Sequence, residues 1–422
     1  MYNVQDSSAL VAGHRALLRP RAAGLRVPRT VVLLGFTSLL TDISSEAVAA
    51  VLPLYLVYAA GFSPLALGFI DGLYRGAAAI TALASGFWAD RRKRHKEVAT
   101  LGYGLSAVTK LGLVAAGGAV APIAVFVMLD RIGKGIRTAP RDALISLSST
   151  KAALGLSFGV HRAMDTFGAL LGPLAAFLLL AEMPNGFDSI FMVSFCLGTI
   201  GVGILVLFVR NPRRPAEIEE APRVARPSMR AAFALFRLPR FRAIAIAGGV
   251  LGFVTISDAF VYLVAQHRSD LEPKWFPLLF LGTALTYLVL AIPFGRLGDR
   301  IGRGKVFVGG HLCLLALYAI LRFAALDTVA VLAALALLGA YYAATDGVLM
   351  ALSSTTVPEV LRTSGLGLIS SVTALCRFGS SIVFGALWTV WNPDAAVLVF
   401  MLGLAVALPL AALVLKRHPE PA

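Results

Sequence analysis

The amino-acid sequence predicts an all-α membrane protein with twelve transmembrane helices in two pseudo-symmetric six-helix bundles. Of its 422 residues, 58% are hydrophobic and 14% are charged, whereas soluble domains carry about 25% charged residues. Apolar runs of about 20 residues, enough to cross about 30 Å of hydrocarbon, recur along almost the whole chain. A similar charged segment also appears in each half, GFWADRRKRHK from Gly86 and GRLGDRIGRGK from Gly295. This repetition indicates an internal duplication.

The apolar runs place the spans in two groups of six. The first group is expected near residues 31–59, 63–89, 98–118, 121–146, 153–181 and 189–209. The second is expected near 241–265, 275–296, 306–325, 328–353, 364–390 and 394–415. The predicted parts are a tail (1–29), a first bundle (30–210), a linker (211–240), a second bundle (241–416) and a tail (417–422). Residues 98–128 could also form one span, but Gly117, Gly118 and Pro122 favour two.

The distribution of basic residues predicts the orientation in the membrane. The loop at 90–97 contains five Lys and Arg residues and the linker at 210–242 contains nine Arg, whereas the loop at 181–188 has two acids and no base. By the positive-inside rule, both termini are cytoplasmic in a multi-pass protein of the inner (plasma) membrane. The net charge of +15 lies in such short loops, so we do not expect nucleic acid as a partner. The first apolar run is too long for a cleavable signal core.

The sequence lacks the features that are typical of several functional classes. No helix carries His pairs at haem or metal spacing, and no GxxxxGK[ST] loop is present for direct ATP drive. No Ser–His–Asp arrangement is recognisable, so we expect neither an enzyme nor a cofactor or metal. Cys196, Cys313 and Cys376 lie inside apolar runs, where small core-packing residues are expected rather than disulfides.

The two halves also match outside the charged segments. RDALISLSST from Arg141 resembles TDGVLMALSST from Thr345, and each closes the fourth span of its half. Parallel halves related by an axis along the membrane normal are typical of transporters, with the substrate site between them near the midplane. The sequence therefore favours a transporter.

Ionisable residues inside the spans are the candidate functional groups, because a charge in the bilayer is costly unless it is paired or hydrated. They concentrate in the first half, where several lie one helical turn apart or share one broad face of span 4. The candidates for proton coupling or for lining a cavity are Asp42, Glu46, Asp71, Arg75, Arg131, Lys134, Arg137, His161, Arg162, Asp165, Asp258, Asp346 and Arg377.

Within this set we expect Asp42 and Glu46 to load and release a proton, with Arg131 modulating them. Arg162 lies about 100° around its helix from His161 and Asp165, which favours a different neighbour. Asp71 and Arg75 could equally form a purely structural pair. The sparser second half is expected to supply more of an apolar binding wall, including Tyr341 and Tyr342, although tyrosine pairs are more often packing residues.

With these features the chain resembles the major facilitator superfamily over about residues 30–415. The second charged segment carries Gly295, Asp299, Arg300, Gly302, Arg303 and Lys305 at the positions of the family's loop signature. The first keeps Gly86, Asp90, Arg91 and Arg94, but has Lys93 where the family usually has Gly. The resemblance implies a conformational latch of Gly86, Asp90, Arg91, Gly295, Asp299, Arg300 and Arg303. Topology-setting charge alone is the simpler alternative.

Two further motifs resemble those of proton-coupled efflux antiporters. Arg131, Gly135 and Ala139 are similar to the family's fourth-span signature. Gly168, Gly172 and Pro173 are similar to its antiporter signature in span 5, which Phe177 breaks at the last position.

The resemblance implies a monomeric, proton-driven antiporter that exports a small amphoteric or anionic molecule, or a drug, by alternating access. Its partners would be this substrate, protons and the lipid bilayer. Three alternatives stay open: a proton-coupled importer of a small metabolite, an exporter of a metal ion or metal complex, and a non-transporting membrane receptor.

Overall fold

The computed structural model describes residues 27–74, 94–150, 153–210, 233–269, 271–358 and 361–418. Arg75 and the first charged segment, with Gly86, Asp90 and Arg91, lie outside these ranges. The first half contains α1 (Arg29–Leu54, continued by a π-helical turn at Tyr55–Ala59), α2 (Pro64–Tyr74), α3 (His95–Ala115), α4 (Val120–Ser148), α5 (Leu154–Glu182) and α6 (Phe187–Phe208).

The second half continues with seven further helices in the described residues. They are α7 (Pro239–Phe253), α8 (Asp258–Arg268), α9 (Phe276–Ile301), α10 (Arg303–Phe323), α11 (Thr328–Ser354), α12 (Arg362–Val390) and α13 (Pro393–Lys416). Ten helical segments of the described chain are long and apolar enough to cross a bilayer. The predicted all-α membrane fold is thereby confirmed. Two predicted spans are not among the ten: α2 is described only to Tyr74, and α4 carries many charged residues.

The described helices form two compact units, one with α1 and α3–α6 and the other with α2 and α7–α13. The first has a buried apolar core between α1, α3, α4 and α6, which includes Leu34, Tyr103, Leu144 and Leu205. In the second, α2 packs closely on α12, where the backbone amide of Leu65 donates to Thr389 Oγ1 at 3.0 Å. The predicted bundle limits, 30–210 and 241–416, stay a prediction.

The division of residues 98–128 into two helices is confirmed. The chain turns at Gly117 and Gly118, which have φ angles of +56° and +81°. Residues with a Cβ rarely adopt such angles, so this pair ends α3 and permits the reversal into α4.

Span 7 differs from the prediction of one helix over 241–265. It is interrupted at residues 254–257, between α7 and α8. The segment contains no Pro, and its local signal is limited to Ser257 and Asp258, residue types that commonly begin a helix.

The prediction of cysteines as core-packing residues is wrong for Cys196 and holds only in part for Cys313 and Cys376. All three cysteines are free, but Cys196 is exposed and Cys313 and Cys376 are only partly buried. A membrane helix turns apolar faces toward lipid as well as toward its neighbours, so an apolar run does not imply burial.

Candidate functional site

The glycines of α5 bring its backbone against α1. A Cβ at Gly168 would lie 2.5 Å from the carbonyl oxygen of Leu39, and one at Gly172 would lie 2.8 Å from the backbone nitrogen of Ala47. Small residues four apart allow such close helix packing. The GALLGP motif therefore positions the charged residues of α1 next to those of α5.

Asp42 on α1 is paired with Arg137 on α4. Arg137 Nη2 donates to Asp42 Oδ1 at 3.0 Å, and both side chains are buried. The guanidinium also lies 4.5 Å from the ring centroid of Tyr103, a cation–π contact that strengthens when it is desolvated. The sequence predicted Arg131 as a modulator of Asp42 and Glu46, and the residue that contacts Asp42 directly is Arg137.

Asp165 on α5 is the centre of a second group of charges. Arg141 Nη1 lies 3.5 Å from its Oδ1, and Arg162 Nη1 lies 3.4 Å from its Oδ2. Arg162 therefore contacts Asp165, although its position on α5 favoured a different neighbour. Its long side chain reaches the residue three positions further along the same helix. The carboxyl groups of Asp165 and Asp42 also interact with each other.

His161 occupies a buried polar chain beside these carboxyl groups. Its Nε2 lies 3.0 Å from Ser38 Oγ, which lies 2.9 Å from the hydroxyl of Tyr103. His161 and Ser38 are 1% exposed. Residues of α1, α3 and α5 therefore form one hydrogen-bonded line, which the i,i+4 spacing of His161 and Asp165 alone does not show.

Glu46 and Lys134 form a more accessible pair. Their side chains meet at 3.2 Å and are 23% and 32% exposed. Glu46 follows Asp42 by one turn on α1, and Lys134 precedes Arg137 by almost one turn on α4. Two acids of α1 therefore pair with two bases of α4. One of these pairs is buried and the other is partly exposed.

Lys110 on α3 is a buried charge that was not among the candidates predicted from the sequence. Its ammonium group binds Asp130 Oδ1, while Arg131 binds Asp130 Oδ2, and Lys110 is 2% exposed. The helices approach here because Gly102 and Gly133 face each other's backbone, with added Cβ atoms at 2.7 and 2.8 Å from the opposite carbonyl oxygens. A single Lys inside an apolar run was the available signal.

In the second unit, side chains form hydrogen bonds with the backbone groups at the break in span 7. The backbone N–H of Ile256 donates to the Tyr318 hydroxyl at 2.6 Å, and this hydroxyl donates to Val254 O at 3.2 Å. Ser380 Oγ donates to Thr255 O at 2.6 Å. These contacts provide the partners that interrupted backbone needs at membrane depth.

Three charged candidates of the second unit, Asp258, Asp346 and Arg377, lie near this break or contact one another beside it. Asp258, the first residue of α8, is 2% exposed and accepts a hydrogen bond from the Tyr342 hydroxyl. Arg377 Nη2 donates to the Tyr341 hydroxyl at 2.9 Å and lies 3.9 Å from Asp346 Oδ1. Tyr341 and Tyr342 are therefore polar partners of the charged groups as well as packing residues.

Asp71 and the second charged segment have contacts of their own. Asp71 Oδ2 accepts a hydrogen bond from Ser381 Oγ at 2.8 Å, and its predicted partner Arg75 is outside the described residues. In the second charged segment, Arg303 lies 2.8 Å from Asp299, and Gly302 between them has a φ angle of +103°. Gly295 and Arg300 lie on the last turns of α9.

The first unit thus combines paired carboxyl groups with several guanidinium groups in a membrane-embedded setting. Such an arrangement can exchange protons. A carboxylate that forms here is stabilised by nearby guanidinium groups, whereas an isolated buried charge would have no partner. Within the described ranges, no three His, Cys, Asp or Glu residues are placed to hold a metal ion.

Comparisons with known proteins agree with this architecture. The sequence matches the Major Facilitator Superfamily over residues 34–281 and 274–422. It is 31% identical over 365 residues to an uncharacterised MFS-type transporter of Methanocaldococcus jannaschii, which covers 86% of this chain and 89% of the relative.

Solved structures show the same fold at low identity. A variant of the nucleoside transporter NupG superposes with a TM-score of 0.78 at 16% identity, covering 92% of this chain and all of that one. A D-xylose–proton symporter gives 0.72 at 15% identity, covering 92% and 97%. With matches along nearly its whole length, the chain belongs to the major facilitator superfamily and is a multi-pass membrane transporter rather than an enzyme.

Proposed function

We propose that this transporter is a proton-driven antiporter that exports a small anionic or amphoteric molecule by alternating access. The observation that carries the proposal is the buried group of charges in which Asp42 pairs with Arg137, and Asp165 pairs with Arg141 and Arg162. We place the protein in the inner membrane as a monomer, with both termini in the cytoplasm.

The two carboxyl groups of this cluster support proton coupling for an electrostatic reason. Carboxyl groups that lie close together favour holding one proton between them, since two adjacent negative charges repel strongly where water is scarce. Loss of that proton leaves two carboxylates, which the three neighbouring guanidinium groups can stabilise by moving closer. A change of conformation that alters these distances would therefore alter proton affinity.

The charge balance supports the substrate class. Away from their first and last turns, α1, α3, α4 and α5 carry six basic side chains and five acidic ones: Lys110, Arg131, Lys134, Arg137, Arg141 and Arg162, and Asp42, Glu46, Asp130, Asp142 and Asp165. With one proton shared by Asp42 and Asp165, the excess is two positive charges. An anionic or amphoteric substrate is favoured over a bare metal cation or a cationic drug.

The proposed direction of transport is inferred from the glycine motif of α5. Its close packing on α1 through Gly168 and Gly172 agrees with the resemblance to efflux antiporters. One solved relative is named a proton symporter, so import by symport is the second candidate, and both use the same coupling residues.

Proton coupling can be tested with purified protein in liposomes that contain a pH-sensitive dye. A library of metabolites and antibiotics is added on each side in turn, with an imposed gradient that is acid inside or acid outside. We expect at least one anionic or amphoteric compound to move protons against its own flux. Movement in the same direction would establish the importer instead.

Variants at the carboxyl pair make this test specific. Asp165→Asn should abolish gradient-driven transport while leaving substrate counterflow, which needs no net proton movement. Glu272→Gln, in an exposed pair with Lys274 outside the membrane helices, serves as the control. Unchanged proton flux in Asp165→Asn and Asp42→Asn would contradict the proposal.

A further inference from the structure

We propose that the outer surface of the second unit, along the groove between α7 and α13, binds an anionic phospholipid. The phosphate lies at Arg242 and Arg417, and the acyl chains follow the apolar faces of the two helices. The proposal concerns the second unit alone, and it does not depend on the substrate, the direction of transport or proton coupling.

The groove is formed by two helices that pack side by side and run antiparallel. At the end of α8, Arg268 Nη1 lies 3.6 Å from Asp394 Oδ1 on α13. At the end of α7, an added Cβ at Gly403 would lie 3.3 Å from Val254 Cγ1. As the position in span 7 decreases from 268 to 254, the neighbouring position on α13 increases from 394 to 403. The C-terminal end of α13 therefore lies beside the first turn of α7.

Two exposed basic residues come to a similar level of the membrane in this way. Counted from the contact of Gly403 with Val254, Arg242 lies 12 residues back along the chain and Arg417 lies 14 residues forward. At about 1.5 Å per residue, these lengths correspond to about 18 and 21 Å. Both arginines are exposed, and neither forms an ion pair with another described residue. Basic groups in such a position attract the anionic headgroups of phospholipids.

On α7, Arg242 begins a narrow line of exposed apolar residues. Ile246 and Val250 follow it at intervals of four residues and are 48% and 42% exposed. All six residues that separate the three positions are buried. This helix is therefore open to the membrane along one line, which an arginine begins and apolar side chains continue.

The matching line on α13 ends in a basic residue. Val406, Leu410 and Leu413 precede Arg417 at helical spacing and are 63%, 54% and 54% exposed. With about 100° between successive residues, Val406 lies about 60° around the helix from Gly403, which faces α7. The exposed line of α13 therefore borders the groove.

A phospholipid fits this combination of charge and apolar surface. The planar fork of a guanidinium group binds phosphate oxygens through paired hydrogen bonds. Acyl chains cover the two apolar lines, which a free phosphate would leave uncovered, whereas an apolar partner helix would leave the arginines without an anion. A negatively charged headgroup is preferred to phosphatidylcholine, because choline brings a positive charge close to both arginines.

The test measures lipid binding to the full-length protein in detergent by native mass spectrometry. The probes are dioleoyl phosphatidylglycerol, dioleoyl phosphatidylcholine, which has the same chains and no net charge, and glycerol 3-phosphate, which has no chains. We expect the first phosphatidylglycerol to bind about 10-fold more tightly than phosphatidylcholine. Excess glycerol phosphate should not displace it. Phosphatidylglycerol should also raise the midpoint of thermal unfolding, since it binds the folded protein.

Variants assign the binding to this groove. Arg242→Gln/Arg417→Gln should bring the affinity for phosphatidylglycerol to within about 2-fold of that for phosphatidylcholine. Lys274→Gln is the control, because Lys274 also lies beside an exposed aromatic residue, Trp275, but already pairs with Glu272 at 2.7 Å. It should leave lipid binding unchanged. If the double variant does not give monodisperse protein, the single arginine variants decide, and each should weaken phosphatidylglycerol binding about 3-fold.

Three results would overturn the proposal. They are equal affinity for the two lipids, unchanged phosphatidylglycerol binding in the arginine variants, and displacement of the lipid by glycerol phosphate, which would indicate a site for a free anion. The measurement uses neither substrate nor proton gradient. Failure of the lipid site therefore leaves the proposed transport function standing, and failure of proton coupling in liposomes leaves the lipid site standing.

Discussion

Arg137 on α4 and Asp42 on α1 form a buried ion pair at 3.0 Å, with side chains 3% and 8% exposed. Removing one partner of such a pair leaves an uncompensated charge, which typically costs about 3–5 kcal/mol, whereas removing both can be nearly neutral. We therefore expect Arg137→Gln to destabilise the protein by about 3 kcal/mol, measured by SDS-induced unfolding. Asp42→Asn/Arg137→Gln should recover most of this loss. A double variant as unstable as the single one would argue against direct pairing.

Close packing of α5 on α1 predicts opposite outcomes for two glycines of α5. An added Cβ at Gly168 meets the backbone of Leu39 at 2.5 Å, whereas nothing lies within 4 Å at Gly159. Because backbone cannot yield locally, Gly168→Ala should cost about 1–3 kcal/mol and reduce transport. Gly159→Ala should be neutral or slightly stabilising. Equal midpoints of thermal unfolding for the two variants would contradict the packing.

The Lys110–Asp130–Arg131 cluster predicts an asymmetry between its members. Asp130→Asn leaves Lys110 and Arg131 facing each other without the carboxylate, so it should cost about 3 kcal/mol or more. Lys110→Met leaves the neutral Asp130–Arg131 pair and should cost less than half as much. Unfolding of both variants in the same detergent checks the order. The reverse order would mean that Lys110 has the larger structural role.

The interruption of span 7 depends on Tyr318. Tyr318→Phe removes the partner of the Ile256 N–H and the Val254 carbonyl, and each unsatisfied buried group costs about 1–3 kcal/mol. Ser380→Ala releases only the Thr255 carbonyl, so its loss of stability should be about half as large. Tyr58→Phe, at a tyrosine that is 55% exposed, should change little in the same unfolding measurement.

Loss of the Asp299–Arg303 pair is expected to affect transport more than stability. The side chain of Asp299 is 55% exposed and that of Arg303 is 28% exposed, and exposed pairs of this kind contribute about 0–1 kcal/mol. If this segment is a latch, Asp299→Asn should lower the transport rate several-fold with little change in unfolding. Glu272→Gln is the matched control. Unaltered transport in Asp299→Asn would favour a role in topology alone.

Sequence patterns predicted the positions of the helices better than they predicted which side chains pair between helices. Gly117 and Gly118 indicated the turn between α3 and α4, since glycine is a poor helix former and readily adopts a positive φ. The i,i+4 spacing of Asp42 and Glu46 showed that they share a face of α1. It carried no information on which base of α4 each would meet, and the structure shows these to be Arg137 and Lys134.

The break in span 7 shows the same limit more strongly. The hydroxyl of Tyr318 that stabilises it is 62 residues away from Ile256, and Ser380 is 125 residues away from Thr255. No local pattern can reveal partners at such separations. Lys110 is similar, because its burial is favourable only beside Asp130, which another helix supplies.

By itself, the sequence determined that this chain is a helical membrane transporter, because crossing a bilayer demands long apolar helices and leaves charge only where it is matched or functional. The tertiary structure decided which charges match. Pairing energies depend steeply on distances between helices, and those distances follow from where glycines such as Gly168 let two backbones touch.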